Sequence, residues 1–336
     1  MSARTFRIAH DIPPGHHRLT YLAAHAQALQ DAGGATLDVR FECADLSSSG
    51  ARMLDDVRRG TLDLAWLNAC HLEHPVPELV ALLRPYALDD VTMCAPSNAA
   101  EVVAAADHVA CARGLRVLGI MRAADQVMWL RDAKVRALAD LEGLRIRIPG
   151  GALYARTFDA LGIVSVELPI GRVEAALASG ELDGFSASVG GWASTLGMRA
   201  PHGVSLPSLL VLVYLLVAQR RDDADADTHV DLLALAALEA ERKVTGRWRA
   251  MKDDDDRLIA EHRARGLDFW VADAATQREC RARLARLSGA PSLCVASVPL
   301  TRSEPSKATP RSATTATPTC GLPENRLEQV LERLRR

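Results

Sequence analysis

The chain has 336 residues, of which 49% are hydrophobic, and its 40 Lys and Arg residues nearly balance its 42 Asp and Glu residues. This length and apolar fraction are typical of a globular protein with two domains or two lobes. The net charge of −2 and the 4% aromatic content exclude the basic surface and the stacking platforms of a nucleic-acid binder. We therefore expect a small-molecule ligand and no nucleic-acid partner.

The seven cysteines are scattered along the chain, and none lies in a CxxC spacing. They predict neither a disulfide framework nor a zinc site. The histidines lack carboxylate or cysteine partners at ligand spacing, so we expect no metal and no other cofactor. The first residues do not follow the basic, apolar and small-residue order of an export signal, and we expect none in this chain.

The N-terminal region alternates strands and helices. A short strand at 6–10 leads through a proline-containing loop into a helix at about 18–32. A second strand follows at 37–42, and a helix then precedes a strand that ends near Asn68. Asp11, in the first loop, either lines a cleft or caps the helix after it.

The segment DLEGLRIRIPGG, at residues 140–151, predicts a strand that stops at Pro149 because proline donates no ladder hydrogen bond. Alternation puts Arg145 and Arg147 on one face, with Arg147 last before a glycine turn and a helix. Ligands of open parallel sheets collect where strands end and helix N-termini add positive dipole. We therefore predict that Arg147 holds an anion; the alternative is a solvated or salt-bridged surface arginine.

Two passages share one pattern, in which a helix is followed by glycine, any residue, leucine and aspartate. They are Gly60–Asp63 and Gly180–Asp183. Matching βα passages indicate two similarly built α/β lobes. We expect the two aspartates to stabilise turns rather than to act as general acids.

The C-terminal third completes the two lobes and adds a tail. A ten-residue apolar run at 209–218 is about half as long as a membrane span and predicts a buried strand. Four aspartates at 253–256 are predicted at the positive, N-terminal end of a helix dipole. The tail at 298–336 is low in complexity and is expected to be disordered, apart from a terminal helix.

Four segments between residues 6 and 184 carry a family resemblance by their order and spacing. They are FRIAHDIPPGHH, VRRGTLDLA, ADLEGLRIRIPG and ALGIVSVELPIGRVEAALASGELDG. Together they resemble the solute-binding subunits of tripartite ATP-independent periplasmic (TRAP) transporters. The resemblance implies the α/β class and a two-lobe periplasmic-binding-protein-like fold, in which each lobe is a mixed sheet flanked by helices and a cleft lies between the lobes.

The resemblance also implies lobe boundaries, a location and partners. The first lobe is expected to comprise 1–122 and about 206–252, and the second 123–205 and about 253–297. The implied protein is a periplasmic, monomeric receptor that closes on a small carboxylate and delivers it to a membrane permease, with no catalytic residues.

Arg147 matches the family arginine that makes a salt bridge with the substrate carboxylate. A guanidinium suits that role because it stays charged and offers two parallel hydrogen bonds. The chain departs from the family where an asparagine usually follows the Asp-Gly pair, since Ser186 and Ser188 stand there. A second family arginine has no clean counterpart, and Gln126 or Arg131 is nearest. The ligand-binding residues expected beside Arg147 are His10, Asp11, Asn68, Gln126, Ile170, Ser186 and Ser188.

Three alternatives stay open at this point. One is a cytosolic ligand-sensing module of the same fold, and another is an altered copy that is not exported. The third is an α/β enzyme, which the sequence favours least because it contains no nucleophile elbow, Walker loop or complete dinucleotide fingerprint.

Overall fold

The computed structural model of the chain describes residues 3–46, 50–221, 226–288 and 326–335. The strands are β1 (Arg4–His10), β2 (Leu37–Cys43), β3 (Leu64–Asn68), β4 (Leu115–Asp125), β5 (Val127–Leu130), β6 (Arg145–Ile148), β7 (Val164–Glu167), β8 (Gly184–Ala187), β9 (His202–Ser205), β10 (Val211–Gln219) and β11 (Asp268–Val271). The α-helices are α1 (Leu19–Gly33), α2 (Ala51–Arg58), α3 (Asp90–Met93), α4 (Pro96–Cys111), α5 (Ala152–Asp159), α6 (Val173–Ala178), α7 (Val189–Thr195), α8 (Ala226–Lys243), α9 (Trp248–Arg263), α10 (Ala274–Ser288) and α11 (Arg326–Leu334). Most of the tail predicted to be disordered lies outside the described residues.

The strands form two mixed sheets. The first has the order β2-β1-β3-β10-β4, with β10 antiparallel to both neighbours. The second has the order β11-β9-β5-β8-β6-β7, with β5 antiparallel to both neighbours. The chain passes from the first sheet to the second at Gln126 and returns through residues 206–210. Helices flank both sheets, so the predicted two-lobe α/β fold is confirmed.

The apolar run at 209–218 forms most of β10, which lies between β3 and β4 and is buried along nearly its whole length. The prediction of a buried strand is therefore confirmed. Among the described helices, none combines the length and the apolar character needed to cross a bilayer.

The two lobes repeat one local frame, as the shared Gly-x-Leu-Asp pattern predicts. Asp63 Oδ2 accepts a hydrogen bond from the backbone N–H of Arg7 in β1 at 2.8 Å, and the N–H of Asp63 donates to the Arg7 carbonyl. Asp183 makes the same pair of bonds with Arg145 in β6. Both aspartates thus fix the start of one strand against the next, and β2-β1-β3 corresponds to β7-β6-β8.

The prediction for the four aspartates at 253–256 is wrong. Helix α9 begins at Trp248, so the aspartates lie inside the helix, and its first turn contains no acidic residue. The cause is tertiary packing, because Trp248 and Met251 are buried and extend the apolar face of the helix towards its N-terminus. Asp255 consequently points into the protein and is 5% exposed.

Asp255 belongs to a buried ion cluster that connects α9 with the first lobe. It pairs with Arg18 at 2.8 Å, with His17 at 2.9 Å and with Arg122 of β4. Arg122 also binds both carboxylate oxygens of Asp90, the first residue of α3. Helix α9 packs against α7 of the second lobe as well, so the cluster anchors an element shared by both lobes.

Candidate functional site

A cavity of about 140 Å³ lies between the two sheets. The first lobe lines it with residues that follow β1 and β3 and with two side chains of β10. The second lobe contributes the ends of β6 and β8 and the segment after β7. The cavity therefore lies at the carboxyl edges of parallel strands, which is the expected ligand position in open α/β sheets.

Arg147 enters this cavity from β6 and is 6% exposed. Its Nε donates to the Leu168 carbonyl at 2.6 Å and its Nη1 to the Ser186 carbonyl at 3.3 Å. Two carbonyls fix the guanidinium, but no carboxylate of the described residues lies within ion-pair distance of it. Burial lowers the pKa of Arg147, because the charged group loses hydration, and the nearby Asp11 carboxylate offsets only part of that effect.

Gln126, Tyr154 and Ser186 form a polar triangle beside Arg147. The Gln126 Oε1 accepts hydrogen bonds from the Tyr154 and Ser186 hydroxyls, each at 3.1 Å, and the two hydroxyls also contact each other. Gln126 sits at the crossing between the sheets, and its Nε2 has no protein partner among the described residues. This amide can therefore donate a hydrogen bond into the cavity.

Asn68 and Ser188 occupy matched positions, five residues after Asp63 and Asp183, and both line the cavity. The Asn68 side chain accepts from the N–H of Cys70, and the Ser188 hydroxyl accepts from the N–H of Gly191. Each caps the short helix that follows its strand. Because each cap uses the side-chain oxygen as an acceptor, the Asn68 amide nitrogen and the Ser188 hydroxyl proton remain available as donors.

His16 connects the first lobe to Ser188. Its Nδ1 accepts from the N–H of Arg18 at 3.0 Å, so its Nε2–H donates to the Ser188 Oγ at 3.0 Å. Burial, with His17 and Arg18 close by, lowers the pKa of His16 to about 3. The imidazole is therefore neutral at neutral pH.

Asp11 lines the cavity from the first lobe and does not cap α1, whose N-terminus has no side-chain cap. The Tyr214 hydroxyl lies near its carboxylate and interacts with it electrostatically, and His71 Nε2 lies 4.0 Å from its Oδ2. Its Oδ1 is buried and has no hydrogen-bond partner among the described residues. Burial raises the pKa of Asp11, and His71 partly offsets that effect.

Of the eight residues predicted to bind ligand, seven line the cavity, and His10 does not. His10 is 4% exposed and its ring packs against Phe41 at 4.7 Å, while its Nδ1 accepts from the N–H of Ile12 at 3.2 Å. Burial lowers the pKa of His10 to about 4.

The structure adds cavity residues that the sequence did not single out as ligand contacts. Tyr214 belongs to an apolar run that predicts only a strand. Glu167 lies in one of the four family segments but was not an expected contact, and His71 lies outside those segments. Tyr214 is recognisable as a cavity residue only from the strand register, which places it opposite Asn68. The polar cavity residues that the structure adds in this way are Tyr214, Glu167, His71, Arg18 and His16.

Direct hydrogen bonds join the lobes around the cavity. Glu73 of the first lobe accepts from the N–H groups of Ala152 at 2.7 Å and Leu153 at 3.2 Å, at the N-terminus of α5. The N–H of Gly171 in the second lobe donates to the Leu46 carbonyl at 3.4 Å. With the His16–Ser188 bond, these contacts hold the lobes together over the cavity.

Two α/β lobes thus enclose a polar cavity, which contains a buried guanidinium without a carboxylate partner among the described residues. Bacterial extracellular solute-binding protein family 7, DctP, matches residues 8–192, and the chain belongs to this family. The family resemblance found in the sequence is thereby confirmed. The family and the similar solved structures consist of solute-binding receptors and not of enzymes.

Solved structures of TRAP periplasmic solute-binding proteins share the fold. One from Bradyrhizobium sp. BTAi1, in complex with α/β-D-galacturonate, is 22% identical with a TM-score of 0.71, over 84% of this chain and 93% of that chain. One from Xanthobacter autotrophicus Py2, with bound β-D-galacturonate, is 16% identical with a TM-score of 0.72, over 98% of both chains. The sugar acid binding protein DctPAm from Advenella mimigardefordensis, in complex with galactonate, is 12% identical with a TM-score of 0.72, over 86% of this chain and 92% of that chain.

Among curated proteins, uncharacterized protein y4mM from Sinorhizobium fredii is 24% identical over 185 residues. The match covers 54% of this chain and 33% of y4mM, so it spans about a third of the length of that relative.

Proposed function

We propose that this chain is the extracytoplasmic solute-binding subunit of a TRAP-type transporter, that it binds a small organic acid through a salt bridge between Arg147 and the ligand carboxylate, and that it delivers the acid to a membrane permease. The observation that carries the proposal is the buried guanidinium of Arg147, held by two carbonyls and lacking a carboxylate partner among the described residues. A buried charge without a counter-ion is costly, and a ligand carboxylate removes that cost.

The cavity supports a ligand that is small and polar. A cavity of roughly 150 Å³ admits a benzene-sized molecule, and the volume here is about 140 Å³. Gln126, Asn68 and Ser188 offer hydrogen-bond donors besides Arg147. Similar solved structures hold galacturonate and galactonate, which are sugar acids. We therefore place the ligand between short organic acids and six-carbon sugar acids.

Thermal-shift screening against short organic acids and sugar acids tests the proposal. A ligand that binds only the folded state, at about 100 times its Kd, adds about 2.7 kcal/mol of stability and raises the Tm by several degrees. Arg147→Ala should abolish the shift. If every acid leaves the Tm unchanged, or if Arg147→Ala binds the acid as tightly as the parent protein, the proposed function is wrong.

The chain offers a matched control in Arg145, which leaves the same strand two residues earlier. Arg145 already pairs with Asp183 at 2.7 Å and does not line the cavity. Arg145→Ala should therefore keep the ligand-dependent shift. Location and delivery need separate tests, namely cell fractionation of the host and uptake of the identified acid after deletion of the gene.

A further inference from the structure

The cavity has a second charged region, which lies on the first lobe and contrasts with Arg147 on the second. It consists of the Asp11 carboxylate, the Tyr214 hydroxyl and the His71 imidazole. Glu167 adds another carboxylate to the cavity wall. A ligand anchored by its carboxylate at Arg147 would meet these groups with its remaining atoms.

The Asp11 carboxylate has an unused acceptor. Tyr214 and His71 lie close to it, whereas its Oδ1 is buried without a hydrogen-bond partner among the described residues. An unsatisfied buried acceptor is costly, and more so when it is charged. A donor on the ligand would remove that cost, because Oδ1 then accepts a charge-assisted hydrogen bond.

The same groups disfavour a ligand with a second carboxylate. Two carboxylates in one water-poor cavity repel each other, and the interaction strengthens as the local dielectric constant falls. Asp11 and Glu167 are both present, and among the described cavity residues the fixed positive charges are Arg147 and Arg18. Arg18 already pairs with Asp255 at 2.8 Å. The charge of Arg18 is thus compensated within the protein, although its Nη1 has no hydrogen-bond partner among the described residues.

We propose that Asp11, whose Oδ1 is unpartnered beside the cavity, is the specificity-determining residue that selects hydroxy acids over dicarboxylates and over unsubstituted acids. This inference rests on the proposed function, since it assumes that Arg147 anchors the ligand carboxylate. Asp11 accepts a hydrogen bond from a ligand hydroxyl and rejects a second carboxylate by charge repulsion.

Two sets of probe acids matched in carbon number test the inference by calorimetry. The four-carbon set is butyrate, 4-hydroxybutyrate and succinate, and the six-carbon set is hexanoate, galactonate and adipate. In at least one set, the parent protein should bind the hydroxy acid tenfold or more tightly than both other members. Equal binding of the hydroxy acid and the unsubstituted acid in both sets, or tightest binding of a dicarboxylate, overturns the inference.

Two variants separate specificity from stability. Asp11→Asn keeps the shape and removes the charge, so the ratio of hydroxy-acid to dicarboxylate affinity should fall at least fivefold. Tyr214→Phe removes only the hydroxyl that lies beside Asp11 and should lower the ratio in the same direction. A uniform loss for all acids in both variants would assign Asp11 a structural role and overturn the inference.

The outcomes also distinguish this inference from the proposed function. Arg147-dependent binding of unsubstituted acids or dicarboxylates without a hydroxy-acid preference refutes the inference and leaves the proposed function standing. Absence of binding by every acid refutes both.

Discussion

Arg145 and Arg147 leave the same face of β6, two residues apart, but their surroundings differ. Arg145 forms two hydrogen bonds with the Asp183 side chain at the edge of the sheet. Arg147 is buried in the cavity and meets only carbonyl oxygens. The difference arises because Asp183 stands at the start of β8, beside the start of β6, whereas at the other end of β6 no carboxylate of the described residues lies within ion-pair distance of Arg147. One strand therefore contains a structural arginine and a cavity arginine.

Arg147→Lys should weaken binding of the identified acid about tenfold to hundredfold while leaving a measurable affinity. Lysine keeps the charge, but its ammonium group does not form the paired hydrogen bonds that a guanidinium makes with a carboxylate. Isothermal titration calorimetry measures the change. An affinity equal to that of the parent protein would show that the positive charge alone suffices and that the paired hydrogen bonds of the guanidinium are unimportant.

His25 should make folding stability depend on pH. It is fully buried, its Nε2–H donates to the Ala236 carbonyl at 3.1 Å, and burial lowers its pKa to about 4 from an ordinary value of 6.5. The unfolded chain takes up this proton first as the pH falls, so the stability from neutral His25 is complete above pH 6.5 and is lost below it. Between pH 7.5 and pH 5 the parent protein should lose about 2 kcal/mol more than His25→Leu.

Urea unfolding of both proteins at the two pH values measures that difference. The comparison with His25→Leu removes the contribution of other buried groups that titrate in the same range. An identical pH dependence for the two proteins would mean that His25 is protonated in the folded state, contrary to the prediction.

The sequence allowed Arg147 to be predicted as a residue of the cavity, because strand alternation and the Gly-Gly turn that follows are local signals. It could not reveal that Asp11 has an unpartnered oxygen or that His10 packs against Phe41. Those facts depend on where β2 and β10 lie beside β1 and β3, and sheet order is a nonlocal property. The role of Arg147 as the carboxylate anchor stays a prediction.

At the scale of elements, α5 is capped from the other lobe. Its first residues belong to the second lobe, and their N–H groups donate to Glu73 of the first lobe at 2.7 and 3.2 Å. Gly151 precedes the helix with a φ of +99°, and an added Cβ there would lie 3.1 Å from the Glu73 carboxylate. The glycine thus permits this close approach between the lobes.

Glu73→Gln should speed ligand dissociation about fivefold with little change in apo stability. A carboxylate at a helix N-terminus contributes about 0.3–1 kcal/mol through the dipole, and here that energy is available only while the lobes are together. Stopped-flow dissociation kinetics measure the rate. Glu174→Gln is the control, since Glu174 pairs with Arg199 within the second lobe; an equal effect of both variants would contradict the prediction.

Element prediction succeeded where local chemistry decides and failed where packing decides. The Gly-x-Leu-Asp passages gave correct strands and turns, because the glycine and the aspartate act within a few residues. The start of α9 was misplaced because the aspartate run suggests a helix N-terminus, whereas buried Trp248 and Met251 extend the helix by five residues. The signal for the true start was the apolar spacing of those two side chains.

For the whole molecule, the ion cluster around Asp255 ties α9 to α1, β4 and α3. Burial alone would raise the pKa of Asp255, but Arg18, His17 and Arg122 together hold it below its usual range. The stability from this carboxylate is therefore present above its unfolded pKa of 3.8 and is lost as the pH falls through its lower folded value. At neutral pH Asp255 is therefore ionised and faces the two arginines.

Asp255→Asn should destabilise the protein by about 3–5 kcal/mol, because it leaves Arg18 and Arg122 buried with less compensating charge. Urea unfolding at about pH 7.5 measures the loss. The neighbouring Asp254→Asn is the control, since Asp254 bonds to Tyr21 and Arg257 near the surface and should cost about 1 kcal/mol or less. Similar losses for both variants would remove the special role assigned to the cluster.

The matched frames of the two lobes have a consequence for how a guest molecule is oriented. Superposing Arg7 on Arg145 by their shared aspartate contacts puts Ala9 at the place of Arg147. The strand arrangement is thus nearly the same in the two lobes, but only the second lobe has a cation at this position. An acid anchored by Arg147 would therefore bind in a single head-to-tail orientation.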